Sequence, residues 1–329
     1  MTIPASFERR QLPLAARYAM GAAAYGLIAP TVRVLEALGL AGRAIGTAWP
    51  RRERDLAKKN PFAGYTPGEH DVFVATYAKS GTNWMMQIAH QLAFHGEAEF
   101  EHIHCMVPWP DSAPQMGKYA IPVGDPSVWM ASPEKKRVIK THLNWELIPY
   151  SENARYMMVI RDPKDVFVSN YHFVKGIFPG FVPSLETWYQ LYLSGKIPIG
   201  GSWAVNTAGY WAQRHRPNVL IESFKAMKRD LPGTVRRVAA FMNVPAADNI
   251  TEKVCAKASF EYMKGIDAKF GVWAMFPWQT PSTMIRKGAR GGSSELLTRE
   301  QQRRIDQTFQ AELKNLGSDF PYEEFCDLA

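Results

Sequence analysis

The sequence contains few cysteines. Three are present among 329 residues, at positions 105, 255 and 326, and none is close to another. Such positions offer neither a disulfide framework nor the paired spacing of a structural zinc site. Because chains of this kind are typical of reducing compartments, we expect a cytoplasmic protein.

Long hydrophobic runs are also absent. The stretch 18–30 is mostly Ala and Gly, is too short to span a bilayer, and is followed by charged residues. Arginines precede it, as in a signal peptide, but no convincing cleavage site precedes the polar linker that begins at Pro50. We expect a helical arm that packs on the domain or on a second subunit. The alternative is an amphipathic segment within residues 1–50 that rests on a membrane surface.

Acidic residues are outnumbered by basic ones. The chain has 39 Lys and Arg against 31 Asp and Glu, a formal net charge of +8. An anionic partner such as a nucleotide or an acidic lipid suits this balance. No long block of Lys and Arg is interleaved with aromatic residues, so we do not expect a nucleic-acid partner.

The composition otherwise indicates a folded protein with a large core. Hydrophobic residues make up 46% of the chain and there are 10 Trp, which excludes disorder. The length allows one large α/β domain and an extension. We predict an N-terminal helical extension and linker over residues 1–69, and the main domain over residues 70–329.

The phosphate-binding loop of Mg-nucleotide triphosphatases, G-x-x-x-x-G-K-[ST], is missing. Its nearest equivalent is Lys79-Ser80-Gly81-Thr82-Asn83, in which Lys precedes the only Gly. A β-branched and aromatic run, 72–77, comes before the loop, and apolar residues at helical spacing follow it until Gly96. Strand, tight turn and helix aim backbone N–H groups at an anion. Taken alone, the loop is also compatible with an ordinary polar turn.

Two further junctions carry polar residues at the end of a predicted strand. In 137–142 the side chains of Lys140 and His142 share one face of the strand, where a cation could offset charge and an imidazole could accept a proton. The strand 154–160 ends at Arg161, after which Asp162 is suited to cap a helix that begins at Pro163. An ion pair of Arg161 with a neighbouring Asp is the alternative role for that arginine.

Three further elements are predicted towards the C-terminus. Asn218–Glu222 has the pattern of a strand, and Met227–Val244 has the apolar spacing of an amphipathic helix. A polar helix is predicted over Thr298–Leu316, because Thr298 and Gln301 can form a capping box and Gly317 follows its end.

Together these stretches resemble the cytosolic-type sulfotransferases, which use 3′-phosphoadenosine-5′-phosphosulfate (PAPS). The motifs are Y-A-K-S-G-T-N-W from Tyr77, R-V-I-K-T-H-L from Arg137, R-D-P-K-D-V-F-V-S-N-Y from Arg161, and Arg286-Lys287-Gly288. Four motifs in the same order form a specific match. The resemblance implies a single α/β domain with a central, mostly parallel sheet flanked by helices and a P-loop-like strand-loop-helix phosphate site.

The resemblance also implies roles for individual residues. The catalytic set would be His142 as general base, with Lys140 and Lys79 offsetting charge on the transferred group. The donor would contact Lys79, Ser80, Gly81, Thr82, Asn83, Trp84, Arg161, Ser169, Phe224, Ser259, Phe260, Arg286, Lys287 and Gly288. Lysines and backbone N–H groups would do the work of Mg²⁺, so no metal is expected.

The sequence departs from the family pattern at several positions. Phe224 stands where the family has a Tyr near adenine, and Ala258 replaces the Thr before Ser259-Phe260. The segment after Gly291 lacks the usual Gly-Asp-Trp-Lys. The family's short dimer motif keeps only Thr298, so an oligomer would have to form in another way.

A small-molecule hydroxyl acceptor is expected, with an apolar or aromatic site. The long stretch 97–133 would help to wall it, with the candidates Trp109, Met116, Tyr119 and Trp129. Further candidates lie at Phe173, Phe178, Phe181 and Trp188, near the Gly-rich stretch 200–203. Each aromatic residue is equally compatible with core packing.

Two other functions remain open at this point. A kinase of nucleotides or small molecules could use the same loop, although the Walker pattern is missing. A nucleotide-binding protein without catalysis is conceivable because positions 224 and 293 are altered, but the intact Lys140 and His142 argue against it.

Overall fold

The computed structural model describes residues 13–48, 60–112, 120–178, 180–271, 283–286 and 292–329. Four parallel strands form one sheet in the order β2-β1-β3-β4. The strands are β1 (Asp71–Ala75), β2 (Arg137–Thr141), β3 (Arg155–Ile160) and β4 (Val219–Ser223). Each lies within two residues of a strand that the sequence predicts, and the α/β prediction is confirmed.

Helices connect and cover the strands. They are α1 (Leu14–Ala23), α2 (Ala29–Ala37), α3 (41–48), α4 (Thr82–Ala93), α5 (Ser127–Ala131), α6 (Pro163–Ile177), α7 (Leu185–Leu193), α8 (Trp203–Trp211), α9 (Phe224–Arg229), α10 (Leu231–Met242), α11 (Asp248–Ala258), α12 (Phe260–Gly265), α13 (Arg299–Asn315) and α14 (Tyr322–Phe325). A π-helical turn, Ala24–Ile28, joins α1 to α2.

Alternation along β1 divides the core into two layers. Val72 and Val74 face a cluster built with α4 and α9 to α12, whereas Phe73 and Ala75 face a cluster built with α6, α7, α8 and α13. All five residues of β1 are buried, as expected for a central strand covered on both faces. The central position of β1 and the parallel register bring the carboxyl ends of the strands to one edge of the sheet.

Local signals set several helix ends as predicted. The Asp162 side chain accepts a hydrogen bond from Lys164 N–H, and α6 begins at Pro163. Thr298 and Gln301 form a capping box at the start of α13, and Gly317 follows its end with φ +68°. The expectation of one helix from Met227 to Val244 is wrong. Asp230 ends α9 and caps α10, because Pro232 suits only the first turn of a new helix.

The N-terminal helices lie against the main domain on one side. Tyr25 contacts Phe181 with ring centroids 4.7 Å apart, and Ser184 N–H donates to Glu36. In α3, a Cβ added at Gly46 would approach the Leu191 side chain of α7 to 3.3 Å. Among the residues that the structure describes, no helix is both long and apolar enough to cross a membrane.

Candidate functional site

The loop between β1 and α4 is shaped by tertiary contacts. Gly81 has φ +109°, and a Cβ there would lie 2.9 Å from Cδ2 of Phe224. Lys79 also has a positive φ, of 70°, which is uncommon for a residue other than Gly. Thr76 and Thr82 hydrogen-bond through their hydroxyls across the loop. The loop therefore closes tightly in front of the N-terminus of α4.

Two polar side chains of this loop are candidates for contact with an anion. The Ser80 hydroxyl is buried and has no hydrogen-bond partner among the described residues. The Lys79 ammonium lies 4.0 Å from the centre of the Phe173 ring. A buried hydroxyl beside a helix N-terminus and a lysine is suited to an anion.

Arg161 lies next to the loop, at the end of β3. It donates to the Lys79 carbonyl at 3.1 Å, and its guanidinium stacks 4.4 Å from the centre of the Phe224 ring. Asp165 is 3.9 Å away, so the ion pair that the sequence allowed is formed at long range. Arg161 and Lys79 nevertheless lie next to each other at the carboxyl end of the sheet, where the charge of Arg161 acts on Lys79.

Lys140 and His142 come to the same edge from β2. The Lys140 ammonium lies 3.4 Å from the centre of the Trp109 ring, and Trp109 meets His142 edge-on. His142 Nδ1 is 2.8 Å from the carbonyl oxygen of Thr76. A carbonyl can only accept a hydrogen bond, so Nδ1 carries the proton and Nε2 is the basic nitrogen.

The cations at the site have lowered pKa values. Burial, followed by the charge of Arg161, lowers the pKa of Lys79 to about 7. Burial lowers the pKa of Lys140 to about 7 as well, with Asp111 opposing and Lys79 adding to the shift. Burial, with Lys140 next, lowers the pKa of His142 to about 3. His142 is therefore neutral at physiological pH, and both lysines are poised to gain charge when an anion binds.

Asp111 is a site residue that sequence reasoning missed. Its carboxylate accepts a hydrogen bond from the backbone N–H of His142 at 2.8 Å. Burial raises the pKa of Asp111, while the hydrogen bond from His142 and the charge of Lys140 oppose the rise. Nothing in the pattern around Asp111 marks it, because the contact joins residues 31 positions apart.

The described part of the C-terminal segment, residues 283–286, lies beside the loop. Asp267 accepts from the backbone N–H groups of Met284 and Ile285 at 3.0 and 2.8 Å. Arg286 pairs with Glu295 at 2.8 Å, and its charge contributes to the lowered pKa values of Lys79 and Arg161. Arg286 thus joins the other cations of the site, whereas Lys287 and Gly288 lie outside the described residues.

The predicted adenine contacts lie around Trp84. Its indole N–H donates to the Ala258 carbonyl at 2.8 Å, which brings Ser259 and Phe260 to this side of α4. The Trp84 ring meets Phe224 edge-on at 5.5 Å. Ser259 caps α12 by accepting from Tyr262 N–H, and Phe260 is exposed. Asn83 is half-buried in the first turn of α4, and Ser169 is half-buried two turns into α6.

The Gly-rich stretch before α8 packs against Tyr77 and the end of β3. The Tyr77 hydroxyl donates to the Gly201 carbonyl at 2.9 Å, and a Cβ at Gly200 would lie 2.7 Å from the Tyr77 ring. Trp203 donates its indole N–H to the Arg161 carbonyl at 3.1 Å. These contacts fix the loop and the end of β3 relative to each other.

The candidate acceptor residues separate into groups. Trp109 and Phe173 lie against the site lysines, whereas Trp188 is buried in the core. Trp129 stacks on His70 at 4.1 Å beside Arg137, at the opposite edge of the sheet, so the expectation that it walls the acceptor site is wrong. Met116 and Tyr119 lie outside the described residues.

Comparisons with known proteins agree on one family. A sulfotransferase domain model matches residues 69–317. Human sulfotransferase 1C2 is 27% identical over 77% of this chain and 86% of its own length, and amine sulfotransferase of Oryctolagus cuniculus is 29% identical over 79% and 85%.

Solved structures show the same fold. A complex of retinol dehydratase with androsterone and the inactive cofactor PAP has a TM-score of 0.65 at 20% identity and covers 82% of this chain and 88% of its own. Mouse sulfotransferase SULT7A1 with PAP gives 0.59 at 22% identity, with 80% and 90% covered. With a family model that matches most of its length, this chain belongs to the sulfotransferase domain family.

Proposed function

We propose that this protein transfers a sulfuryl group from PAPS to the hydroxyl of a small, apolar or aromatic acceptor, with His142 as general base. The observation that carries the proposal is the meeting of Lys79, Lys140 and the neutral His142 at one edge of the sheet. Solved relatives with PAP bound support the choice of donor.

The residues of the loop fit an anionic nucleotide. The buried Ser80 hydroxyl, the close approach allowed by Gly81 and the two lysines with lowered pKa values suit the 5′-phosphosulfate. Arg161, Ser169 and Arg286 would hold the 3′-phosphate, and Lys287 and Gly288 remain predicted contacts. Trp84, Phe224, Ser259 and Phe260 would contact adenine. When bound, PAPS supplies the sulfuryl group and a phosphate leaving group.

His142 has the protonation state that a general base needs. Its Nδ1 proton is held by the Thr76 carbonyl, and Asp111 holds its backbone N–H. These two contacts orient Nε2 to accept the proton of an acceptor hydroxyl as its oxygen attacks sulfur. Loss of water contact disfavours the imidazolium form of the half-buried His142, and negative charge that develops beside it during the transfer offsets this cost.

The lysines offset charge on the transferred group. Lys140 and His142 are two residues apart at the end of β2, and Lys79 reaches the same space from the loop. Fixed cations in a site with little water stabilise charge that spreads over sulfuryl oxygens and the leaving phosphate. We therefore expect positioning and electrostatic stabilisation to supply most of the rate enhancement.

Aromatic side chains support an apolar acceptor. Trp109 covers Lys140 and touches His142 edge-on, and Phe173 lies against Lys79. The solved retinol dehydratase complexes hold androsterone and retinol, which are small apolar alcohols. We infer that the acceptor is likewise a small apolar molecule with a hydroxyl group, an alcohol or a phenol.

Calorimetric titration tests the donor. We expect 3′,5′-adenosine bisphosphate to bind and ATP with Mg²⁺ not to bind, because the loop has groups that suit a phosphate but lacks the Walker pattern. Binding of MgATP without the bisphosphate would overturn the proposal in favour of a kinase.

Substitution of His142 by Asn tests the base. The Asn amide can still donate to the Thr76 carbonyl but offers no basic nitrogen, so we expect turnover of phenols with radiolabelled PAPS to fall by about 10²–10⁴-fold. Affinity for the bisphosphate should stay unchanged. His215→Asn is the control, since His215 is exposed and precedes β4 at the opposite edge of the sheet. Near-normal turnover of His142→Asn would refute the assignment.

A further inference from the structure

The N-terminal helices expose an unusual number of large apolar side chains. Among the described residues, eight of the exposed large hydrophobic side chains lie between positions 14 and 40, and the others are scattered over the rest of the chain. The eight are Leu14, Tyr18, Met20, Leu27, Ile28, Val34, Leu38 and Leu40. Single exposed apolar residues need no explanation, but a contiguous group marks an interaction surface.

Three members of the group, together with Thr31, form a stripe along one helix face. Leu27, Thr31, Val34 and Leu38 follow each other at the spacing of one face of a helix. The Thr31 hydroxyl is used within the helix, because it donates to the Leu27 carbonyl at 2.6 Å. Leu27, Val34 and Leu38 are 69%, 57% and 64% exposed, so the stripe offers solvent no charged group.

The opposite face is already occupied by the main domain. Tyr25 contacts Phe181, Glu36 accepts from Ser184 N–H, and the buried Ala29 lies between them along the chain. The helices are therefore anchored with the stripe facing outward. A shift of the helices on the main domain would not cover the stripe, because Tyr25 and Glu36 on the inner face already have partners there.

The charge of this part of the sequence selects the occupant. The described residues 13–48 contain three Arg and one Glu, and residues 1–60 together contain ten Lys and Arg and four Asp and Glu, a net charge of +6 in a chain whose total is +8. Arg33 and Arg43 are exposed near the stripe. Two copies joined through this face would bring two such positive segments together, whereas an anionic lipid surface would attract them.

We propose that this stripe docks on the surface of a membrane that contains anionic lipid. The apolar side chains enter the boundary between headgroups and acyl chains, and the basic residues stay at the level of the headgroups. The helices lie in the plane of the interface and do not cross it. The inference goes beyond the proposed function and does not depend on catalysis.

Co-sedimentation of the full chain with vesicles tests the proposal. We expect binding to phosphatidylcholine vesicles that contain phosphatidylserine, weaker binding to pure phosphatidylcholine, and a loss of affinity at high salt. Replacing both leucines of the stripe, Leu27→Gln with Leu38→Gln, should weaken binding roughly tenfold or more, because it removes apolar area from the interface.

The control replaces two exposed leucines elsewhere, Leu316→Gln with Leu328→Gln, and should bind like the wild type. Bisphosphate titration checks that each variant is folded. If the double stripe variant does not fold, the single substitution Val34→Gln replaces it in the test. Equal binding of all variants, or no binding of the wild type, overturns the proposal. A dimer in vesicle-free solution that the stripe variant abolishes would also overturn it, in favour of a second copy as occupant.

Discussion

At the scale of single residues, the site contains two lysines whose charged forms are disfavoured by their surroundings. Lys79 is half-buried, Lys140 is buried, and the two lie near each other with pKa values of about 7. Each lysine is therefore only partly charged at neutral pH in the free protein. A bound anion stabilises the charged form and raises both pKa values, so binding and protonation are linked.

This linkage predicts proton uptake when the bisphosphate binds. Above a pH of about 7 the free lysines are mostly neutral, so binding must add protons. The affinity should fall as the pH rises from 7 to 9, by up to about tenfold per unit for each lysine involved. Titrations in buffers of different ionisation enthalpy measure the uptake. Heats that are independent of the buffer would contradict the linkage, and Lys196→Met, on an exposed lysine, should leave the uptake unchanged.

Gly81 shows how one residue shapes the loop. Gly81→Ala combines an unfavourable φ of +109° with a Cβ 2.9 Å from the Phe224 ring. We expect a loss of about 1–3 kcal/mol in the free energy of unfolding and weaker bisphosphate binding. Gly317→Ala is the control, because Gly317 has φ +68° but open space around it. Urea unfolding compares the two, and equal losses would show that the Phe224 contact is unimportant.

At the scale of elements, the site is assembled where strand ends and helix starts meet. The loop follows β1, Lys140 lies in β2 with His142 directly after that strand, and Arg161 directly follows β3. Open parallel sheets bind ligands at this edge because loops and helix N-termini gather there. The short segment 283–286 adds Arg286 to the positively charged residues of the site. Its backbone N–H groups donate to Asp267.

Asp267 should therefore affect donor binding without touching the reacting groups. Asp267→Ala frees the N–H groups of Met284 and Ile285, so Arg286 is less well positioned, and we expect bisphosphate affinity to fall roughly tenfold. Asp267→Asn keeps an acceptor oxygen and should restore most of the affinity. If Asn behaves like Ala, the carboxylate acts through its charge on Lys79 and not by holding the segment. Calorimetry distinguishes the two outcomes.

At the scale of the whole molecule, the C-terminal helices are tied to α6 by a buried ion pair. Asp306 of α13 pairs with Lys164, and it also accepts from Tyr322 O–H at 2.8 Å and from Ala329 N–H at 3.1 Å. Burial lowers the pKa of Lys164, but the charges of Asp162 and Asp306 outweigh it, and the net shift is upward. Helix α6, which would carry the 3′-phosphate contact Ser169, is thereby fixed to α13 and to the C-terminal residues.

Removal of Asp306 should be costly. Asp306→Ala leaves Lys164 buried with only Asp162 as an acidic partner, at 3.2 Å, and we expect a loss of about 2–4 kcal/mol in the free energy of unfolding. Asp319→Ala breaks an exposed pair with Arg214 and should cost about 1 kcal/mol or less. Denaturant unfolding of both variants checks the difference, and comparable losses would show that the buried network adds little.

The sequence by itself determined much of the local structure and part of the site. Hydrophobic alternation and β-branched runs located the strands, and Asp162 and Thr298 marked helix starts because a cap needs only neighbouring backbone. The loop at Lys79 and the pair Lys140 and His142 could be predicted for the same reason, since each motif lies within a few residues of one strand end.

Only the tertiary structure decided which distant residues complete the site. Asp111 meets His142 and Asp267 holds Met284 across long stretches of chain, and no local period records such contacts. Trp129 looked like a pocket residue in the sequence but stacks on His70 at the opposite edge. The direction in which a loop folds back depends on packing against elements far away in the chain, and the same packing left the N-terminal stripe facing outward.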